Sequence, residues 1–424
     1  MNTTEYGRGG TGTLLIIAYR NIWRNIRRTA LCITAVGLAV FFTIVMQAMG
    51  DGMIRSINEV VQVFETGHVS VVSAQYEAEQ EYYPVQYPVE DGKSAAELAE
   101  AAKAIPGVKA AFPRISAYAT LQNSTVKHAL LWGIEMEKEA QINYFNLSDR
   151  TNGLVEGRYP EPGSKGCAIG TALARKAGLR IGDRIPLKTV SAQFSDKIWS
   201  PEITGIFEFD YRKYDEGVII VSFERLQQLL VLGDGTQQLF IYGERENQSD
   251  TIAAALKNLI GDRNVVRDWR DNYFVAMMQQ SMGIYIIIYL VFLIVASFLI
   301  VNTVVMIIHE RIKEIGMMGS LGMTRAEIVT VFFFEAIFLS IAGSLAGVLI
   351  GGITTLIGSF FPFDFSTMTG GSMKDFPMSG TIFLEFSPLI LLQGFLFGVV
   401  ITSICTLIPS LRSAFVEPVE ALRS

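Results

Sequence analysis

The sequence predicts an α-helical membrane protein with four transmembrane helices in a one-plus-three arrangement, and a large α+β extracytoplasmic domain between the first and second spans. Three observations carry that prediction. Half of the 424 residues are hydrophobic, 18% are charged and the mean hydropathy is +0.34. Four apolar stretches, at residues 29–49, 283–308, 328–361 and 388–408, are each long enough to cross about 30 Å of hydrocarbon at about 1.5 Å per residue. Residues 50–282 mix polar and apolar side chains instead, over enough length for a core of their own.

Residues 1–28 form an N-terminal segment. Arg20, Arg24, Arg27 and Arg28 share one helical face, beside Ile16, Ile22 and Trp23. That pattern suits a helix lying in the membrane interface, and equally suits arginines that only set topology. Residues 29–49 carry no charge. They exceed the about 7–15 apolar residues of a signal peptide and no A-x-A site follows, so a retained anchor is expected.

Within 50–282, strands and helices mix. Ser94-Ala95-Ala96-Glu97 is a capping box opening a helix that ends near Ile105, where Pro106-Gly107 breaks it. Alternation predicts strands at 115–121 and 128–134. Residues 157–187 read as turn, strand, a helix near 172–177, a turn at Gly182-Asp183 and another strand. A buried-strand run at 218–221 precedes a helix at 223–230, and a strand at 239–242 with a helix at 250–260 closes the domain. Cys167 is the one cysteine here, since Cys32 and Cys405 fall in spans, so packing rather than an internal disulfide must hold this domain together.

The second span, 283–308, is longer than a bilayer requires and should tilt or project. The turn at 309–327 holds Arg311, Lys313 and Arg325, and Arg412 and Arg423 follow the fourth span. The loop at 362–387 has Lys374 as its one basic residue, with Asp364, Asp375 and Glu385. By the positive-inside rule both termini (1–28 and 409–424) and the turn are cytoplasmic. Glu310, Arg311, Glu314, Ile315, Gly316, Met317, Met318 and Gly322 make that turn a charged, helix-compatible element between two apolar runs. Such an element is well placed to receive force from a soluble partner.

Chemistry is sparse. Gly92-Lys93-Ser94 ends like a phosphate-binding loop, but Tyr87 stands where the leading glycine belongs. His309-Glu310 opens an HExxH motif that Lys313 leaves without its second ligand. No G-x-S-x-G elbow occurs, and His68 and His128 read as ordinary surface or strand histidines. No catalytic, metal or cofactor site is expected in this chain. The net charge of −6 says little about partners, and nucleic acid is not expected among them.

Within the spans, Gly343, Gly347 and Gly351, and Gly394 and Gly398, recur at every fourth residue, which lets helix backbones approach closely in lipid. Glu335 is the lone carboxylate inside a span and so a candidate coupling or structural contact. Met46, Met49, Met278, Met282 and Tyr285, near the outer ends of the first two spans, could line an adaptable apolar way in for substrate or simply pack against helices and lipid.

The chain resembles the FtsX-like permeases of MacB-type ABC transporters, and particularly the lipoprotein-releasing (Lol-type) permeases. The resemblance rests on Ala18-Tyr19-Arg20-Asn21-Ile22-Trp23-Arg24-Asn25 with Arg27-Arg28-Thr29, and on Glu314-Ile315-Gly316 through Leu321-Gly322. It includes Glu335 before the Gly-rich third span, Gly178-Leu179-Arg180-Ile181-Gly182-Asp183, and the ending Pro418-Val419-Glu420-Ala421-Leu422-Arg423. It implies two permeases, identical or homologous, around a dimeric interface in the bacterial inner membrane. Two copies of a separate cytoplasmic ATPase would bind ATP and Mg below them. Porter-like and sabre-like subdomains would stand outside, with a periplasmic carrier or adaptor as a further partner. The family usually has a basic residue where this chain has Gly319, so contact with the ATPase is expected to be looser or differently charged. The function implied is ATP-driven extraction of lipoproteins or lipids; the alternatives are efflux of peptides or small amphiphiles, and an adaptor that activates a cell-wall hydrolase.

Overall fold

The computed structural model describes residues 11–24, 26–122, 126–278, 280, 287, 290–291, 294–295, 297–298, 301–302, 305–306, 317–318, 320, 322–364 and 381–413. The chain divides into a membrane unit, Met1–Gly52, Ser281–Pro362 and Phe383–Ser424, and an α/β unit, Met53–Gln280 and Phe363–Ile382.

Among the described residues three helices are long and apolar enough to cross a membrane, over Thr29–Thr66, Arg325–Phe360 and Pro388–Thr406. The expected second span, 283–308, lies largely outside the described residues. The first-span helix runs Ile26–Val61, well beyond the apolar stretch at 29–49. Its extension is stabilised by an Arg55–Glu59 pair one turn apart (3.1 Å), while Ile57 and Val60 are buried. The helix over the expected third span, Arg325–Phe360, begins at a capping box. Glu327 N donates to Thr324 Oγ1 at 3.4 Å, and Thr324 N donates to the Glu327 carboxylate at 2.8 Å. The helix over the expected fourth span is Pro388–Ser413.

The α/β unit is built on one sheet of eleven strands: β1 (Val69–Ser73), β2 (Val108–Leu121), β3 (His128–Ile134), β4 (Leu154–Gly157), β5 (Gly166–Gly170), β6 (Leu187–Val190), β7 (Asp196–Trp199), β8 (Glu202–Phe207), β9 (Val218–Ser222), β10 (Gln238–Gly243) and β11 (Asn264–Asp268). Their order is β11-β1-β10-β2-β3-β9-β5-β8-β4, with β6 and β7 branching from β2. A further two-strand pair joins β12 (Phe363–Asp364) to β13 (Thr381–Ile382). The long β2 is the spine: its first half pairs with β10, its second with β3 and β6.

Strands in the middle are buried on both faces. Along β9, Ile219 and Val221 face a core with Ile169, Leu173 and Leu226, while Val218 and Ile220 face another with Trp132, Phe207 and Tyr214. Double burial is why 218–221 is uniformly apolar rather than alternating. A third core, with Val69, Leu98, Leu239 and Leu256, lies under the helices Ala95–Lys103 and Ser249–Ile260.

Strand β3 and the helix Phe223–Leu230 occupy the residues that the pattern predicts, and the Ser94–Glu97 capping box forms (Glu97 N to Ser94 Oγ, 3.3 Å). The helix at Ser249–Ile260 does not close the domain, however. β11 follows it and pairs antiparallel with β1 across the sheet edge, Val71 opposite Val266. Neither strand stands out in the sequence, because both are short.

Candidate functional site

At the turn, Glu310, Arg311, Glu314, Ile315 and Gly316 lie outside the described residues. Met317 and Met318 are helical. Met317 is 52% exposed, whereas Met318 packs on the buried pair Ile328 and Phe332 of the third-span helix. Gly322 has φ +97°, a conformation that only glycine adopts readily, two residues before the Thr324 cap. Met323 donates its N–H to Met318 O at 3.2 Å.

The helix Thr11–Arg24 belongs to the same assembly. It buries Leu14 and Ala18 against Val331, with Phe334 and Phe338 alongside, and Tyr19 meets Phe338 edge-on at 6.1 Å. Ile16 and Trp23 stay exposed, as do Arg20, Arg24 and Arg27. Met323 touches both this cluster and the Met318 cluster, so it joins the turn to the N-terminal helix. Sequence reasoning passed over Met323 and Leu14; for Leu14 the signal available was its place, with Ala18 one turn on, opposite the arginine face.

Deeper in the membrane unit the glycines are sockets. A Cβ added at Gly343 would stand 2.7 Å from Val36 Cβ, and at Gly347 2.7 Å from Val40 Cβ. At Gly351 it would meet Ile44 Cγ2 at 3.2 Å, and at Gly394 Ile44 Cγ1 at 2.6 Å; at Gly398 it would collide with Ser344 and Val40. Val40 and Ile44 of the first span thus fit between the third and fourth spans, and all these contacts are within one chain. Gln47 Nε2 donates to Gln393 Oε1 at 2.7 Å across the first and fourth helices. Glu335 is buried at 4% exposure, one turn from Val331 and one from Leu339. Met46 and Met49 are half-buried, Met49 against the core of Val40, Ile44 and Ala48. Met278 belongs to the α/β unit, and Met282 and Tyr285 lie outside the described residues.

In the α/β unit the first-span helix ends in a π turn, Gln62–Thr66. Val60, Val63 and Phe64 are buried in the aromatic core, where Phe64 lies 4.7 Å from Tyr214, 5.3 Å from Phe209 and 6.0 Å from Trp132 by ring centroids. Arg114 and Glu139, both buried, form an ion pair beside it. A cavity of about 530 Å³ opens next to the turn, lined by Glu65, Trp132, Tyr214, Arg114 and Asn272 among others. Glu65 accepts from Tyr214 Oη at 3.0 Å and from Asn272 Nδ2 at 2.9 Å. Cys167 is an inert core residue whose thiol burial pushes up to about 12.

Two family models match the chain. The FtsX-like permease C-terminal model covers residues 286–418. The MacB-like periplasmic core domain model covers residues 29–259, more than half of the chain. The chain belongs to the FtsX-like permeases of MacB-type ABC transporters. Relatives in this family include the lipoprotein-releasing system transmembrane protein LolC of Xylella fastidiosa, 26% identical over 343 residues, 75% of this chain and 78% of that one. LolE of Haemophilus influenzae is 22% identical over the same shares. The macrolide export ATP-binding/permease protein MacB of Brucella melitensis is 22% identical over 79% of this chain, but over 51% of its own length. The solved periplasmic region of MacB from Actinobacillus actinomycetemcomitans aligns with 51% of this chain and 92% of its own at TM-score 0.32 and 9% identity.

Proposed function

We propose that this permease carries ATP-driven motion from a separate ATPase, present in two copies on the cytoplasmic side of the bacterial inner membrane, to its α/β unit, and that the motion extracts lipoproteins or lipids. A second permease, identical or homologous, completes the membrane part. The observation that supports this most is the first-span helix. It is one helix, Ile26–Val61, whose residues 26–52 belong to the membrane unit and whose last turns are buried in the core of the α/β unit. A helix is a stiff element, and burying Val60, Val63 and Phe64 fastens its end to the sheet. The substrate class is supported by the lipoprotein-releasing relatives, which align over more than three quarters of their own length.

The test is reconstitution. The chain and the ATPase that co-purifies with it are placed in liposomes loaded with a lipid-anchored reporter protein, and ATP-dependent release into the medium is measured. Release of the reporter is expected. Export of a labelled peptide without release of the reporter would replace extraction by efflux; the MacB relative is named for macrolide export.

A further inference from the structure

The end of the first-span helix is held by one side chain from far along the sequence. Arg114, on β2 and 3% exposed, donates from Nε to the Glu139 carboxylate (3.1 Å to Oε2) and from Nη2 to the same carboxylate. Nη2 also donates to Val63 O at 2.9 Å and Nη1 to Phe64 O at 3.3 Å. Its guanidinium lies 4.4 Å over the Phe240 ring of β10. Glu139 ends the short helix Met136–Glu139 and is fully buried. One guanidinium therefore ties together the π turn, two neighbouring strands and a helix.

Those two carbonyls are among the last of the helix, where no further turn supplies N–H partners. A planar fork with five donors serves a carboxylate and two carbonyls from three separate nitrogens held in fixed geometry. Stability alone does not explain the pair, since a buried ion pair is often no better than an apolar pair of similar volume. What it supplies is position. A π turn is also a common mark of functional distortion in a helix.

We propose that Arg114, oriented by Glu139, is a positioning residue that locks the end of the first-span helix to the sheet, so that the two move as one body. The purpose of the lock rests on the transmission reading above, whereas the lock itself is measurable without ATP.

The experiment uses the full chain in lipid nanodiscs. Hydrogen exchange is followed over residues 60–68, together with thermal unfolding, for wild type, Arg114→Lys and the double variant Arg114→Met/Glu139→Leu. The double variant removes both charges and keeps the volume, so it should unfold within a few degrees of wild type. Exchange at 62–67 should nevertheless rise by about tenfold or more, because the charge-assisted hydrogen bonds to Val63 O and Phe64 O are both lost to local opening. Arg114→Lys can pair with Glu139, but its single nitrogen cannot stand at the positions of Nε, Nη1 and Nη2 together, and it should raise exchange less. If the double variant does not fold, the lysine variant decides alone. Wild-type exchange in a folded variant overturns the lock. In the liposome assay, the unlocked variants should lose release at wild-type melting temperature. A wild-type chain that releases nothing would instead sink the transmission reading, while the exchange result still judges the lock.

Discussion

His68 precedes β1 at the edge of the π turn, and its Nδ1 accepts the backbone N–H of Gly243 at 3.0 Å. The ring stands edge-on to Tyr242 at 5.5 Å. Burial lowers its pKa below the ordinary 6.5; Asp268 pulls back and Lys109 adds to the lowering. A depressed basic group binds fewer protons in the folded than in the unfolded state once the pH drops below 6.5. Stability therefore rises with pH in that window and is lost as pH falls from 6.5 toward the folded value, by at most about 1.4 kcal/mol per pH unit. Above 6.5 both states are neutral and the contribution is constant. His68→Asn keeps an acceptor for Gly243 and removes the titration, so thermal unfolding of the full chain between pH 7 and pH 5 should show a smaller loss than wild type. An unchanged slope would assign the acid sensitivity to other groups.

The turn before the helix Arg325–Phe360 is where the ATPase proposed above would push. Of its methionines, Met318 is anchored on Ile328 and Phe332, whereas Met317 is half exposed. An aspartate at 318 would disturb the turn itself, so 317 is the cleaner position for probing a partner. Glu314→Lys and Met317→Asp should weaken association by charge reversal and by a desolvated carboxylate, each worth about 2–5 kcal/mol where the contact is buried. Co-purification of the ATPase should fall at least about 30-fold for either substitution alone. Undiminished co-purification with full ATP-dependent release would remove this turn as the coupling element. The helix Thr11–Arg24 bears on the same element, because Met323 links its Leu14 and Ala18 cluster to Met318.

For the molecule as a whole, the arginine distribution predicts an outward α/β unit and an inward turn. Glu161 is well exposed in the α/β unit, and Ser320 is exposed in the turn. In a background lacking Cys32, Cys167 and Cys405, Glu161→Cys should react with an impermeant maleimide added to intact cells, and Ser320→Cys should react only after the membrane is opened. Equal labelling of both would reverse or abolish the assigned orientation.

Local chemistry in the sequence determined the membrane class, three apolar helices, the family, and elements such as the Ser94–Glu97 cap, β3 and the helix Phe223–Leu230. Each depends on residues a few positions apart, which hydropathy windows and capping patterns can read. The four-residue glycine spacing likewise marked Gly343, Gly347, Gly394 and Gly398 for close approach, but only the tertiary structure decided that Val40 and Ile44 fill those sockets. The same holds for the extension of the first helix to Val61, which polar residues such as Asp51 and Arg55 disguise as loop until the aromatic core receives its end. It holds for β1 with β11, and for Arg114 with Glu139 and the carbonyls of Val63 and Phe64. These partners lie tens to hundreds of residues apart. Their meeting is settled by which faces the whole chain must bury together, a long-range constraint that no local period records.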